Sequence, residues 1–243
     1  MGERIPAQAT ASDGVGAPDV NRQTIAVDGS AASGKSTIGR RLAEKLGYAF
    51  LDTGVMYRAV THSALERGLS LEDSATIGAL AQTLPIYVSL DRDASGTRIT
   101  IDGVDVTSHL RSQRVEDAVS IVSRIAAVRD ALVSRQRQIA KHQPIVMAGR
   151  DIGTVVLPNA DLKIYLDASI EERARRRYAD FLAADNEVSQ EIVLKDIRRR
   201  DRIDSEREVS PLRPADDAVI IDTDGLSLDE VMHRVLNLVR DDK

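Results

Sequence analysis

The sequence predicts an α/β fold in three layers: a five-stranded parallel core sheet with helices on both faces, a small antiparallel β insert and a helical lid. Three observations predict it. Short β-branched apolar runs alternate with segments of helical periodicity, the pattern of a parallel sheet buried on both faces. Polar residues gather where those runs end, at the carboxyl ends of strands, where open α/β sheets bind ligands. Residues 86–106 break the alternation with period-2 runs separated by turn signals, the mark of an antiparallel meander.

The elements follow in order. Residues 1–22, rich in Ala, Gly, Pro, Ser and Asp and without apolar periodicity, read as a disordered tail that lacks the apolar core of a secretory signal. Core strands are expected at 23–28, 48–51, 144–148, 161–167 and 217–222. Helices are expected at 35–46, 54–67, 73–83, 113–123, 126–142, 169–183, 188–202 and 227–240. Within the meander Asp102-Gly103 is a strong hairpin turn, and such a hairpin belongs in an insert beside the parallel sheet.

Composition narrows the function. A net charge of -5 speaks against non-specific nucleic-acid binding, and no apolar stretch is long enough to span a bilayer. Cysteine is absent, which excludes thiolate metal sites and Cys nucleophiles and is compatible with a reducing cytosol. The four histidines, His62, His109, His142 and His233, show no metal-ligand spacing. A cytoplasmic monomer is the expectation, with neither nucleic acid nor membrane as partner.

The most specific motif is Gly29-Ser30-Ala31-Ala32-Ser33-Gly34-Lys35-Ser36-Thr37, a complete G-x-x-x-x-G-K-S loop between an expected strand and an expected helix. Glycines at 29 and 34 let successive backbone N-H groups converge on phosphate oxygens at a helix N-terminus. Lys35 would reach the β- and γ-phosphates, and the Ser36 hydroxyl would ligate Mg2+. Three further clusters carry charge. In Leu51-Asp52-Thr53-Gly54-Val55-Met56-Tyr57-Arg58, a helix N-terminus with an Arg one turn in favours an anion, although Arg58 taken in isolation reads better as a solvated helix residue. In Gly149-Arg150-Asp151-Ile152-Gly153-Thr154, a buried strand runs into an Arg-Asp pair, which is either functional or an internal salt bridge. From Glu171 to Arg213, eleven cations balance eleven anions. That suits a mobile, solvated flap from which selected arginines reach over a nucleotide, and it suits ordinary surface helices as well.

Taken together, these clusters resemble the bacterial cytidylate kinases of the nucleoside monophosphate kinase group. The resemblance runs over about residues 23–242. Beyond the loop it rests on Leu51 to Arg58, on Gly149 to Thr154 followed by Val155-Val156-Leu157-Pro158, on Asp167-Ala168-Ser169 opening a Glu-Glu-Arg helix, and on Arg200-Asp201-Arg202-Ile203-Asp204-Ser205-Glu206-Arg207 leading to Pro211-Leu212. It implies transfer of the ATP γ-phosphoryl group to CMP or dCMP, with Mg2+ as cofactor. It also implies a P-loop core of residues 23–60, 110–168 and 214–242, an acceptor-binding insert at about 61–109 and a lid at about 169–213. Carried over by position, Lys35, Arg150, Arg200 and Arg207 are the catalytic cations, and residues 29–37 hold ATP. Thr53, Arg58, Arg150 and Arg207 surround the acceptor phosphate. Ser120, Arg129 and Asp151 read the cytosine edge, and Arg200 and Asp204 lie near the acceptor sugar and flap. Arg173 and Arg177, one helical turn apart, are further candidates for the ATP phosphates. Two departures, Thr53 where relatives often carry Ser and Ser30 where they commonly carry Pro, keep the chemistry. From the loop alone another acceptor (AMP, dTMP or shikimate) or a nucleotide-gated switch stays open; the other clusters favour the kinase.

Overall fold

The computed structural model describes residues 23–90, 97–183, 185 and 187–240. The tail expected at 1–22 and the turn expected within 91–96 lie outside the described residues. Five strands form one parallel sheet in the order β2-β6-β1-β7-β8: β1 (Thr24–Gly29), β2 (Ala49–Asp52), β6 (Ile145–Gly149), β7 (Leu162–Asp167) and β8 (Val219–Asp222). Each expected core strand is present, shifted by one or two residues at its ends. β1 lies at the centre, with Val27 opposite Ala148 on one side and Ile164 on the other.

The two faces of the sheet are sorted by the period-2 rule. Ile25, Val27, Val146 and Ala148 point into a core closed by α1 (Lys35–Leu46) and α8 (Leu228–Arg240). Ala26, Ile145 and Met147 point the other way, into a second core shared with α2 (Gly54–Glu66), α3 (Ser74–Thr83), α4 (Gln113–Ser123) and α5 (Ala126–Ala140). Each helix buries one stripe. On α1 it is Ile38, Leu42 and Leu46, and on α8 Val231, Val235 and Val239, at four-residue spacing. β1, β2 and β6 are therefore apolar on both sides, which is why the sequence shows runs there, whereas in β7 Lys163, Tyr165 and Asp167 alternate with the core residues Leu162, Ile164 and Leu166.

The meander forms a three-stranded antiparallel sheet of β3 (Ile86–Leu90), β4 (Thr97–Ile101) and β5 (Val104–Asp105). Asp102 and Gly103 both have positive φ, 51° and 82°, as a tight type I′ turn demands. Ile99 and Ile101 enter the second core, whereas Tyr87 and Val104 are exposed. A third and much smaller core lies under α6 (Ile170–Ala183) and α7 (Gln190–Glu206), where Ala174, Val193 and Ile197 are the buried apolar residues, with Ala32 of the phosphate loop against them.

Three local features depart from the sequence expectation. The last long helix before β8 was expected to stop at 202, but α7 runs on to Glu206, because no Gly or Pro interrupts it before Pro211. Two short turns are additional: a 3-10 turn at Thr107–Arg111 and a π turn at Ile152–Val156. The π turn is fastened from a distance, since the Asp28 carboxylate accepts from the N-H groups of Ile152 and Gly153, both at 2.7 Å. Burial pushes the Asp28 carboxyl up to about 6, although both N-H groups pull the other way.

Gly29 closes β1 with φ 156°, and a Cβ there would lie 2.5 Å from the Leu166 carbonyl oxygen and 2.6 Å from Ser33 Oγ. Backbone oxygen of a central strand cannot retreat. Gly29→Ala is therefore expected to cost about 2–4 kcal/mol of stability, measured by urea unfolding, through overpacking and backbone strain. A loss below about 1 kcal/mol would show that the loop yields easily.

Candidate active site

The carboxyl ends of β1, β2 and β6 open into one cavity of about 710 Å³. The phosphate loop lines it, and so do Ser120, Arg129 and Asp151. Lys35, Ser36, Thr53, Arg58, Arg150, Arg200, Asp204 and Arg207 lie along its walls, so the structure brings the residues expected at the acceptor and those expected at the polyphosphate into one space.

Gly34 turns the chain into α1 at φ 89°. The loop's carbonyls are gripped by cations from three elements. Lys35 Nζ donates to Ser30 O at 2.8 Å, Arg150 Nη1 to Gly29 O at 3.3 Å, and Arg173 Nη1 to Ala31 O at 3.2 Å. Occupying the carbonyls in this way fixes the loop's backbone for an anion at its N-H groups. Burial, and then Arg150 nearby, hold the Lys35 ammonium well below its usual pKa, a cost that an anion beside it would offset.

At the end of β2, Asp52 and Thr53 take different partners, and only Asp52 caps α2. The Asp52 Oδ1 accepts from Gly54 N at 3.0 Å, while Thr53 Oγ1 donates to Ala148 O at 3.0 Å across to β6. The other Asp52 oxygen accepts from Ser36 Oγ at 2.8 Å. Burial would raise the Asp52 carboxyl, but Arg58, Lys35 and the Ser36 hydroxyl outweigh it and hold it ionised below the usual range. A hydroxyl and a carboxylate side by side are hard oxygen donors. They fit Mg2+, which takes one or two protein oxygens and completes its shell with phosphate and water.

Arg150 and Asp151, adjacent in sequence, do not pair with each other. Arg150 Nε meets Asp204 Oδ2 at 2.8 Å, which ties the end of β6 to α7. Asp151 turns the opposite way and pairs with Arg129 of α5, a side chain only 2% exposed. Arg207 approaches the second Asp151 oxygen at 3.7 Å and donates through Nε to Ser210 O. The ring of Tyr57 lies 5.4 Å beneath the Arg129 guanidinium, where burial pushes the phenol up to about 12. Ser120 is buried within the same wall.

A family model described as cytidylate kinase matches residues 25–241. The chain belongs to the cytidylate kinase family. Three relatives carry the same name: one from Geobacillus sp. (strain WCH70), 46% identical, with 91% of this chain and 98% of the relative covered; one from Bacillus subtilis (strain 168), 45% identical, with 89% and 96% covered; and one from Geobacillus kaustophilus (strain HTA426), 47% identical, with 90% and 97% covered.

Within this cytidylate kinase fold the arginine-dense stretch is less solvated than its composition implies. Arg173, Arg200, Asp204 and Arg207 are all buried. Arg173, a candidate for the ATP phosphates, spends its donors on Ala168 O, Ala31 O and Asp201, so it braces the loop. Arg177 lines the cavity with its guanidinium 4.6 Å from the Phe181 ring. Sequence reasoning missed Glu116. The residue is 4% exposed, and its carboxylate meets Arg58 Nε at 2.7 Å and Arg200 Nη1 at 2.8 Å. Burial would raise it, yet the two arginines hold it at about 2. Its one signal in the sequence is a place one helical turn before Ser120.

Proposed function

We propose that the chain transfers the γ-phosphoryl group of ATP to CMP or dCMP, giving ADP and CDP or dCDP. The observation that carries this reading is one cavity lined both by the phosphate loop and by the Arg129-Asp151 pair. An acceptor phosphate with second pKa near 6 is already largely a dianion at pH 7, so the reaction needs no general base. It needs two polyanions held in line and their charge neutralised. Lys35 and the loop's N-H groups bind the donor phosphates. Thr53, Arg58, Arg150 and Arg207 surround the acceptor phosphate, and Arg200 and Asp204 flank the acceptor sugar. Mg2+, held by Ser36 with Asp52, would neutralise charge on the transferring phosphates when bound.

Base choice follows from the Arg129-Asp151 pair. Asp151 accepts from the exocyclic amine of cytosine, Arg129 donates to its carbonyl oxygen, and Ser120 closes the edge. Uracil places a carbonyl against the carboxylate and is repelled. Residues 61–109 serve as the acceptor side and 169–213 as a lid that excludes water.

A coupled ADP-release assay with ATP and a panel of CMP, dCMP, UMP, AMP and dTMP tests the reading. The highest kcat/KM is expected for CMP or dCMP. Best turnover on any other acceptor would overturn the base assignment, and ADP release independent of acceptor would favour a nucleotide-gated switch.

A further inference from the structure

Three arginines from three helices converge on one carboxylate that the proposed reaction leaves without a role. Glu116 lies in the first turn of α4, where the helix dipole favours an acid, and four residues before Ser120, so both face the cavity. Its Oε1 accepts from Arg58 Nε at 2.7 Å. Its Oε2 accepts from Arg200 Nη1 at 2.8 Å, and its main-chain oxygen accepts from Arg200 Nη2 at 2.9 Å. Arg177 Nη2 stands 3.9 Å from Oε2.

The two arginines are held in different ways. Arg58 meets Glu116 through Nε, which fixes the plane of the guanidinium and leaves both Nη nitrogens available to a phosphate. Arg200 gives both Nη nitrogens to Glu116, and its Nε lies 2.8 Å from Asp196 Oδ2 as an ion pair without a hydrogen bond. Arg200 is thus a fastening between α7 and α4, reinforced by Arg199 Nη1 donating to Asp117 O at 3.5 Å. One side chain, Glu116, stands at the junction of both arrangements.

We propose that Glu116 is a positioning residue, which aims Arg58 at the acceptor phosphate and fastens α7 onto α4 through Arg200, so that the phosphate is recognised with the lid helix in place. The inference rests on reading Arg58 as a ligand of the acceptor phosphate. It assigns no contact between Glu116 and substrate. Removing its charge should therefore weaken recognition of the phosphate and leave recognition of the base untouched, because Arg129 and Asp151 pair with each other and not with Glu116.

The test is calorimetric binding of CMP and of cytidine, which lacks the phosphate, to the full chain and its Glu116→Gln and Glu116→Asp variants. Glu116→Gln is expected to weaken CMP by about tenfold or more, the loss of a charge-assisted contact, and to leave cytidine within about twofold. Glu116→Asp keeps the charge on a shorter arm and is expected to fall between, so it carries the test even if the Gln variant does not fold. Unchanged CMP affinity in the folded variants, or equal weakening of CMP and cytidine, overturns the proposal. Wild-type protein that binds cytidine as tightly as CMP refutes the Arg58 reading itself, whereas wild-type selectivity that survives both substitutions refutes the role of Glu116 alone.

Discussion

Lys35→Ala is expected to abolish turnover with every acceptor, lowering kcat by about a thousandfold or more, as loss of a cation that stabilises transferring phosphate does elsewhere. The size follows from position. Lys35 is buried in the wall of the cavity, held by Ser30 O at 2.8 Å, and in the proposed reading its charge lies where the β- and γ-phosphates would meet the helix N-terminus. Arg150, the cation next to it, is committed to Asp204 and Gly29 O and cannot slide across to replace it. Steady-state kinetics with CMP, dCMP and UMP, beside a circular-dichroism melt, provide the check. Folded Lys35→Ala protein that retains more than about a tenth of wild-type kcat would remove Lys35 from the chemistry.

Asp151→Asn is expected to relax base choice, lowering the preference for CMP over UMP by about 1–3 kcal/mol, or about 5- to 150-fold in the ratio of kcat/KM. An amide can donate to the uracil carbonyl that the carboxylate repels. Asparagine is the informative substitution. Both substitutions remove the negative charge beside Arg129, which is 2% exposed, but asparagine keeps an oxygen that accepts from the guanidinium, whereas alanine leaves the buried cation with neither, a loss of about 3–5 kcal/mol that mixes stability with specificity. Competition between CMP and UMP in one reaction measures the ratio directly. Unaltered cytosine preference in the Asn variant would mean that the base is read elsewhere.

Much of this molecule was legible in its sequence because local rules govern it. The helix after the phosphate loop spans Lys35–Leu46 as its periodicity demands, and Asp102-Gly103 makes the turn that its residue types allow. What the sequence left obscure depends on partners distant along the chain. The π turn at Ile152–Val156 is set by Asp28, and nothing near residue 152 announces it. Arg150-Asp151 looks like a pair and is not one, because the backbone turns each side chain toward a different helix. Glu116 carries no motif, and its role as a shared acceptor exists only once α2, α4 and α7 are brought together. In the arginine-dense stretch, a net charge of zero describes exposed pairs and buried ones equally, so composition alone did not separate Arg173 and Arg200 from Arg175.

The small core beneath α6 and α7 separates two free energies within one chain. Ala174, Val193 and Ile197 are few, so lifting these helices exposes little apolar surface and carries only a small heat-capacity and denaturant signature. The cores on either face of the parallel sheet hold the remaining buried apolar surface described above and stay intact while this happens. Amide protons of α6 and α7 are thereby set to exchange through frequent sub-global openings, and those of β1 and β6 only through global unfolding. With α6 and α7 read as a lid, substrates would enter and leave many times for each unfolding event, at the cost of the ion pairs that fasten the lid and not of the two large cores.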